Sequence, residues 1–378
     1  MSITRKARPF VTSIHTWIGL IGGLFISIIS LSGSVIVFRS QLEQSMLPPI
    51  PVAANSTRRV SLNEAVRQIL RSHPDSRIRR VRLPASPHDP YVMQIQSGEK
   101  QQRLVSDPYS GRILGVLDAS WVDRIVDLHR NLLSGKTGRK IVGAFGIVLF
   151  VLSATGIVLW FLTARNWRAL ITAPRQGSSR RFNLELHRLT GMWAYCLLAV
   201  VSFTGIGISY PDTFRQGWQA LTGQPAVSQV RRNFTIAGPP GQSLDDYLAI
   251  GSSAMKDATP TELRLPEPGK GPVELRLSRT GDLSAGSNRV YLDPVSAHVL
   301  AIDRAADRPL GARFLGAFSP IHYGQVGGLT ATILWALLGL VPPLLLVTGL
   351  IVWWRPAKPK ASQTGERAQT AVPALAKQ

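Results

Sequence analysis

Four of the seven histidines in this chain stand beside or just ahead of long apolar blocks, where an ionisable ring is unexpected. They are His15, His129, His187 and His322. A neutral imidazole is a common ligand of haem iron and of other metal ions. Ionisable groups at membrane depth are usually functional, so these four are the candidate ligands. The simpler alternative is that they anchor helix ends at a membrane interface.

Four apolar blocks position these histidines, and each is long enough, or nearly so, to cross a membrane. The blocks are Trp17–Phe38, Ile141–Leu162, Met192–Tyr210 and Leu329–Trp354. About 20 helical residues span the roughly 30 Å of a bilayer's hydrocarbon core. We therefore expect four transmembrane helices, the first an uncleaved anchor and not a cleaved signal peptide. Pro342 and Pro343 predict a kink in the fourth.

The composition agrees with this interpretation. Hydrophobic residues make up 45% of the chain and charged residues 17%, which argues against disorder and against a plain soluble protein. The net charge of +21 resembles that of a nucleic-acid-binding protein. Because the basic residues flank the apolar blocks, contact with membrane lipid explains the charge better, and we expect no nucleic-acid partner.

Basic residues also predict the orientation, because they cluster in three short segments that four spans place on one side. The clusters are Arg5, Lys6 and Arg8, then Arg165, Arg168, Arg175, Arg180 and Arg181, and finally Arg355, Lys358 and Lys360. The positive-inside rule assigns that side to the cytoplasm. Both chain ends are then cytoplasmic, and the two long segments between spans lie outside.

The two halves of the chain follow one plan, with matching residue types at matching positions beside the spans. The matches are His15 with His187, His129 with His322, Ser32-Gly33 with Thr204-Gly205, and Thr155-Gly156 with Thr348-Gly349. Parallel repeats of this kind are known among membrane proteins. The sequence thus predicts two helix–domain–helix repeats.

The pattern of each outer segment predicts an α+β domain, with one amphipathic helix followed by short strands. The helices are expected at Leu62–Ser72 and 244–255, and the strands at Arg79–Leu83, Tyr91–Gln96, Gln102–Ser106, 262–266, 273–278 and 289–292. The predicted order is N-terminus 1–14, span 15–38, outer domain and linker 39–138, span 139–163, inner loop 164–184, span 185–210, outer domain 211–321, span 322–354 and tail 355–378. Residues 361–378 are expected to be disordered.

Topology sorts the four histidines into one pair on each face of the membrane. His15 and His187 open helices that begin at the cytoplasmic face, whereas His129 and His322 precede helices that begin at the outer face. Facing histidines on neighbouring helices can hold haem or a metal ion. Two histidines do not complete a zinc site, and no acid or cysteine is suitably placed beside either pair. Haem needs only two axial ligands, so it fits better.

Several short motifs together resemble the PepSY-associated transmembrane family over about residues 10–356. They are the His-x-Trp-x-Gly opening at His15, the segment Leu128-His129-Arg-Asn-Leu, the Thr-Gly-(Ile/Leu)-x-x-Trp helix ends, and the Asp-Pro-x-Ser-Gly/Ala turns. One departure is Ala297, where the first repeat has Gly111.

The resemblance implies a bacterial inner-membrane protein with periplasmic PepSY-like domains that is linked to iron uptake. It implies two b-type haems with His15, His187, His129 and His322 as axial ligands, and reduction of a ferric siderophore on the periplasmic side. The resemblance suggests that the four histidines are haem ligands but does not determine which two of them bind the same haem. The electron donor, cytoplasmic or a quinol, is not identified.

Other functions are weighed against this one. No Gly-rich nucleotide-binding fingerprint, Ser/His/Asp arrangement or His-Glu-x-x-His motif occurs, so we expect no bound nicotinamide or flavin and no hydrolytic residues. A non-enzymatic, membrane-anchored module that binds or regulates a periplasmic partner is the main alternative. A transporter fits less well, because the spans lack acidic residues.

Overall fold

Four apolar helical segments form the membrane part of the protein. The computed structural model describes residues 2–48, 59–163, 178–226, 234, 241–267 and 269–355. The long helices are α1 (Ser2–Ile36), α5 (Gly135–Thr163) and α6 (Ser179–Ser209), and the fourth segment is built from α11 (Gly328–Leu338) and α12 (Val341–Trp354). Each segment is long and apolar enough to cross a membrane. The chain is therefore a multi-pass membrane protein.

The fourth segment is interrupted where the sequence predicts a kink. α11 ends at Leu338 and α12 begins at Val341, directly before Pro342. The break lies against α1, where Ser34 donates a hydrogen bond of 2.9 Å to the Ala336 carbonyl. Gly339 permits this approach, since a Cβ there would lie 2.1 Å from the Ser34 hydroxyl oxygen.

Two runs of short elements connect the spans. After α1 come α2 (Arg39–Ser45), α3 (Leu62–Ser72), β1 (Arg77–Arg82), β2 (Tyr91–Ser97), β3 (Lys100–Ser106), β4 (Ile113–Val116) and α4 (Ser120–Asn131). After α6 come α7 (Pro211–Thr222), α8 (Leu244–Ser253), β5 (Thr259–Arg264), β6 (Val273–Ser278), β7 (Asn288–Leu292), β8 (Val299–Asp303), α9 (Leu310–Gly316) and α10 (Phe318–His322). Both runs thus carry one amphipathic helix and then four strands.

All eight strands form one antiparallel sheet in the order β4-β3-β2-β1-β5-β6-β7-β8. β1 pairs with β5, with Val81 opposite Leu263, so the two predicted α+β domains share a sheet. Pairing β1 with β5 covers two edges that would otherwise expose unpaired backbone groups. Among the described strands, β4 and β8 are the edge strands.

Helices α3 and α8 cover one face of this sheet and bury its core. Tyr247, Leu263 and Leu275 are fully buried there. The two helices also cap each other, because the Asp245 carboxylate accepts from the Leu62 and Asn63 amides at 2.7 and 3.0 Å. In return, the Asn63 side chain accepts from the Leu244 amide at 2.9 Å. These contacts satisfy amides that a helix N-terminus leaves unpaired.

The Asp-Pro turns of both runs have the same backbone conformation, although Gly111 of the first turn corresponds to Ala297 of the second. Gly111 has a φ of 73° and Ala297 a φ of 59°, so both lie in the left-handed region. Asp107 accepts the Tyr109 amide, and Asp293 accepts the Val295 amide, each at 2.8 Å. The alanine therefore holds a conformation that glycine adopts more readily.

The opposite face of the sheet lies over one end of the helix bundle. Arg103 on β3 makes an ion pair of 2.5 Å with Asp123 on α4, which packs against α1 and α5. We call this end of the bundle the sheet side and the other end the far side. The predicted disordered tail, the cationic positions 165, 168 and 175, and positions 358 and 360 lie outside the described residues.

Candidate functional site

The four candidate histidines meet in two pairs, one at each end of the bundle. On the far side, the ring centroids of His15 and His187 are 6.2 Å apart. On the sheet side, those of His129 and His322 are 6.1 Å apart. Two imidazole nitrogens bound at about 2 Å to one iron ion place their ring centroids about 6 Å apart. Both separations therefore leave room for one iron ion that the two imidazoles of a pair would hold.

Each far-side histidine contacts a Thr-Gly dipeptide of a neighbouring helix. The Nδ1 of His15 lies 2.8 Å from the Thr155 hydroxyl of α5. The Nδ1 of His187 lies 3.0 Å from the Thr348 hydroxyl of α12 and 3.1 Å from the Leu345 carbonyl. The glycine after each threonine leaves room for the imidazole ring. α5 therefore positions His15 of α1, and α12 positions His187 of α6.

The sheet-side histidines are held in the same way. The Nδ1 of His129 on α4 lies 2.7 Å from the Ile29 carbonyl and 3.4 Å from the Ser32 hydroxyl of α1. The Nδ1 of His322 on α10 lies 3.0 Å from the Val201 carbonyl and 3.2 Å from the Thr204 hydroxyl of α6. Each pair thus combines one histidine from each half of the chain.

These contacts decide which ring nitrogen is left for a metal. The Thr155 hydroxyl already donates to the Val151 carbonyl at 2.8 Å, so it accepts from Nδ1 of His15. A carbonyl accepts from Nδ1 of each of the other three rings. With Nδ1 protonated, the lone pair of a neutral ring is on Nε2. This arrangement is typical of metal-binding histidines.

Burial keeps the sheet-side ligand in its neutral form. His129 lies outside the four spans, and burial lowers the pKa of its ring, opposed only in part by the Ile29 hydrogen bond. Because the pKa falls below its ordinary value, His129 is neutral around neutral pH. A neutral ring keeps the lone pair that a metal ligand needs.

A cavity of about 780 Å³ adjoins the far-side pair. Its lining includes both histidines, and the glycines Gly19, Gly156, Gly191 and Gly349 give it open walls. A flat macrocycle fits such a space, since pockets for cofactors are mostly apolar and of this size. Gly22 is outside this lining and packs against Val148, so helix packing explains that glycine.

Three arginines line the same cavity where α1 and α6 begin: Arg8, Arg180 and Arg188. The buried Nε of Arg180 has no hydrogen-bond partner among the described residues. A haem carries carboxylate groups that guanidinium groups bind well. Across the described ranges, no group of three or more His, Cys, Asp and Glu side chains is arranged to hold a metal ion. The residues present therefore fit haem better than a bare metal ion.

An ion-pair network fixes α4, the helix that carries the first sheet-side histidine. The buried Glu43 accepts from Arg39 at 2.8 Å and from Arg103 at 3.1 Å, and Asp123 of α4 pairs with the same two arginines. Burial alone would raise the pKa of Glu43, but the Arg39 hydrogen bond and nearby arginines hold it below its ordinary value. The carboxylate is charged and ties α4 to α2 and β3.

Sequence reasoning identified the histidines but not the residues that hold them. Ser32, Thr155, Thr204 and Thr348 were recognised only as matched positions of a repeat. Their signal was present, because each stands directly before a glycine inside an apolar helix. Small and hydroxylated residues are common wherever membrane helices pack, so the dipeptides alone assign no role.

Comparison with known proteins decides the family. A model of the PepSY-associated transmembrane region matches residues 12–355. The chain belongs to the PepSY-associated transmembrane family. All four candidate histidines and all four of the dipeptides that hold them fall within the matched range.

One relative extends this result. Over 254 residues the chain is 27% identical to an uncharacterised protein of Pseudomonas aeruginosa. The match covers 61% of this chain, which spans 63% of that relative's length. The relative is uncharacterised, so it assigns no activity to this chain.

The far-side hydroxyls offer a matched test of the hydrogen-bond argument. Thr155→Val removes the hydroxyl at the Nδ1 of His15, whereas Thr348→Val leaves His187 its Leu345 carbonyl. An unpaired buried donor costs about 1–3 kcal/mol, so Thr155→Val should weaken far-side cofactor retention by about tenfold or more. We expect less than about threefold from Thr348→Val. Equal retention in both variants, measured by competition with apomyoglobin, would contradict this argument.

The glycines offer a second matched test, one that compares the two sites. A Cβ at Gly205 would lie 2.9 Å from Cε1 of His322, but one at Gly349 would lie 3.6 Å from Cε1 of His187. Gly205→Ala should displace its histidine at a cost of about 1–3 kcal/mol and lower sheet-side cofactor content. Gly349→Ala makes an ordinary contact and should bind like the wild type. Alanine favours helix, so helix weakening cannot explain a loss.

Proposed function

We propose that this chain is a dihaem b-type electron-transfer protein of the bacterial inner membrane that reduces ferric siderophores on the periplasmic side. One observation carries the proposal. Two histidine pairs lie at opposite ends of the bundle, each with centroids about 6 Å apart and each Nδ1 occupied by a neighbouring helix. The histidines of each pair would hold one haem iron through their Nε2 atoms.

A different histidine pair would hold a haem at each end of the helix bundle. His15 and His187 would hold the far-side haem, with Arg8, Arg180 and Arg188 close to its carboxylates. His129 and His322 would hold the sheet-side haem. When bound, the two haems supply one-electron transfer between a donor at the far side and an acceptor at the sheet side. The protein sets ligand orientation, burial and hydrogen bonding, which together tune the potential.

The proposed electron acceptor is a ferric siderophore, because reduction changes how tightly such a chelate binds iron. Hard anionic oxygens bind Fe(III) much more tightly than Fe(II), so one added electron loosens the chelate and releases iron. The sheet-side pair lies next to the outer domains, where such a chelate can approach without crossing the bilayer. The donor at the far side is a cytoplasmic reductant or a membrane quinol.

The proposal requires the sheet to face the periplasm, with both chain ends in the cytoplasm. Alkaline phosphatase is active only when it is exported, so fusions after Ser86 and after Gln242 should be active. A fusion after Gly177 should be inactive and should become active as a cytoplasmic reporter such as β-galactosidase. The opposite pattern would place the sheet in the cytoplasm and reject periplasmic reduction.

Stopped-flow absorbance tests the activity directly. Purified protein, reduced under anaerobic conditions, is mixed with a ferric hydroxamate siderophore while a ferrous chelator reports released Fe(II). Reoxidation of the haem bands should match Fe(II) formation, with one iron per electron. A colourless protein without haem bands would favour the alternative of a membrane-anchored PepSY module that binds a periplasmic partner.

A further inference from the structure

A second cavity lies beside the sheet-side histidines and belongs to neither pair. It has a volume of about 450 Å³, within the usual range for small-ligand sites. The end of α6 forms one wall, and α7, α9, α10 and the β7–β8 strands form the others. Its apolar wall contains Phe214, Leu315 and Phe318. His322 follows Phe318 by one helical turn on α10.

Positive charge dominates the lining of this cavity. Its charged members are Arg139, Arg215, Arg289, Arg308 and Asp303. Arg308 binds Asp303 through two contacts of 2.9 and 3.0 Å, so that pair is neutral as a unit. Of the remaining three arginines, Arg289 also interacts with Asp303 and pairs with Glu274 at 3.3 Å. No acidic residue of the described lining pairs with Arg139 or Arg215.

Arg139 and Arg215 each have N–H donors left after their hydrogen bonds within the protein are counted. A guanidinium group carries five N–H donors. Arg139 gives one to the Ile208 carbonyl at 2.5 Å, and Arg215 pairs through one nitrogen with Asp212 at 2.9 Å. Asp212 itself is 79% exposed, so water screens that pair. Both arginines can therefore bind a further anion.

The sheet beside the cavity also favours an anion. Alternation along β6 and β7 places Arg276 and Arg289 on the face away from the buried core, and these two residues are directly paired. Arg80 and Arg264 are paired in the same way between β1 and β5. Burial and neighbouring arginines lower the pKa of Arg80, although Glu262 opposes them. Like charges directly opposite each other are destabilising. Glu274 offsets part of that repulsion, at 2.8 Å from Arg276 and 3.3 Å from Arg289. Glu262 pairs with Arg80 and Arg264 in the same way, so the four arginines and two glutamates keep a net positive charge.

We propose that this cavity binds the ferric chelate through anionic oxygens, so that the protein's substrate is an anionic, carboxylate-bearing chelate. The link to electron transfer rests on the proposed function, but the binding does not. Carboxylates of the chelate contact Arg139 and Arg215, and its hydrocarbon part packs on Phe214 and Phe318. The positive face of the sheet attracts the same anion toward the cavity.

Gallium(III) citrate tests the binding alone, because Ga(III) resembles Fe(III) in charge and size but is not reduced under these conditions. Isothermal titration on the full haem-loaded chain in phosphatidylcholine nanodiscs should detect binding that weakens with added salt. Arg215→Gln and Arg139→Gln should each weaken it about tenfold or more. Arg67→Gln is the matched control, since Arg67 makes an exposed i,i+3 pair of 2.8 Å with Glu64 on α3. Arg67→Gln should bind like the wild type.

Three other results of this experiment would contradict the binding proposal, the chelate assignment or the proposed function. No binding to the wild type, or equal binding by Arg215→Gln and Arg67→Gln, overturns the proposal. If phosphatidylglycerol nanodiscs abolish citrate binding through the same arginines, the cavity holds a lipid headgroup and the chelate assignment is wrong. If gallium citrate binds through Arg215 but ferric citrate does not reoxidise the reduced protein, the binding site stands and the proposed function fails.

Discussion

A His187→Ala variant is expected to retain the sheet-side haem and to lose the far-side haem. The alanine removes one of the two axial imidazoles and opens a cavity that already measures about 780 Å³. His15 would then be the single histidine left to hold the far-side haem, and the group would be retained less tightly. The haem content should fall from about two per chain to about one, because a bis-imidazole site needs both ligands.

The measurement is the pyridine haemochrome assay on protein of known concentration, together with low-temperature electron paramagnetic resonance. One of two low-spin signals should disappear from the variant. His73→Ala is the matched control, because His73 caps α3 in the outer domain and belongs to neither pair. If His187→Ala retains both haems with an unchanged spectrum, His187 is not an axial ligand.

A His322→Ala variant should separate electron entry from electron exit. It removes one sheet-side ligand, whose ring centroid lies 6.1 Å from that of His129, and leaves the far-side pair intact. The far-side haem should still be reduced by dithionite. Reoxidation by a ferric siderophore added only to the sheet side of oriented proteoliposomes should fall to the background rate of the chelate with protein-free haem, because the bilayer separates that side from the far-side cavity.

His187→Ala serves as the comparison for this experiment. It should keep a sheet-side haem that ferric siderophore still reoxidises. Reoxidation of His322→Ala at the wild-type rate would mean that the sheet-side site is not the exit, and the direction of the proposed reaction would be wrong.

The sequence predicted many of the local elements, since periodicity and apolar length depend on the chain itself. It missed β4 and β8, and β5 spans Thr259–Arg264 where the strand was predicted at 262–266. The helix predicted at Leu62–Ser72 has those bounds in the structure, and the predicted strand at 273–278 is β6. The kink at Pro342 is confirmed by the break between α11 and α12. Proline removes a backbone hydrogen bond wherever it stands in a helix interior, so this signal is local, although α1 continues through Pro9.

Contacts between distant elements could not be predicted in the same way. The pairing of β1 with β5 joins the two outer domains, but nothing in either strand's composition names its partner. Thr155 and His15 are far apart in the chain, and only the packing of α1 on α5 brings them together. The arginine-lined cavity likewise depends on residues from seven elements, with Arg139 supplied by α5.

The number of haems bound by the wild-type chain tests the central claim most directly. A pyridine haemochrome assay, combined with iron analysis and quantitative amino-acid analysis of the purified protein, gives that number without assuming any substrate. The two histidine pairs predict about two b-type haems and two irons per chain, with low-spin spectra typical of two axial imidazoles. Purified protein that contains no haem after expression in haem-replete cells would contradict the account.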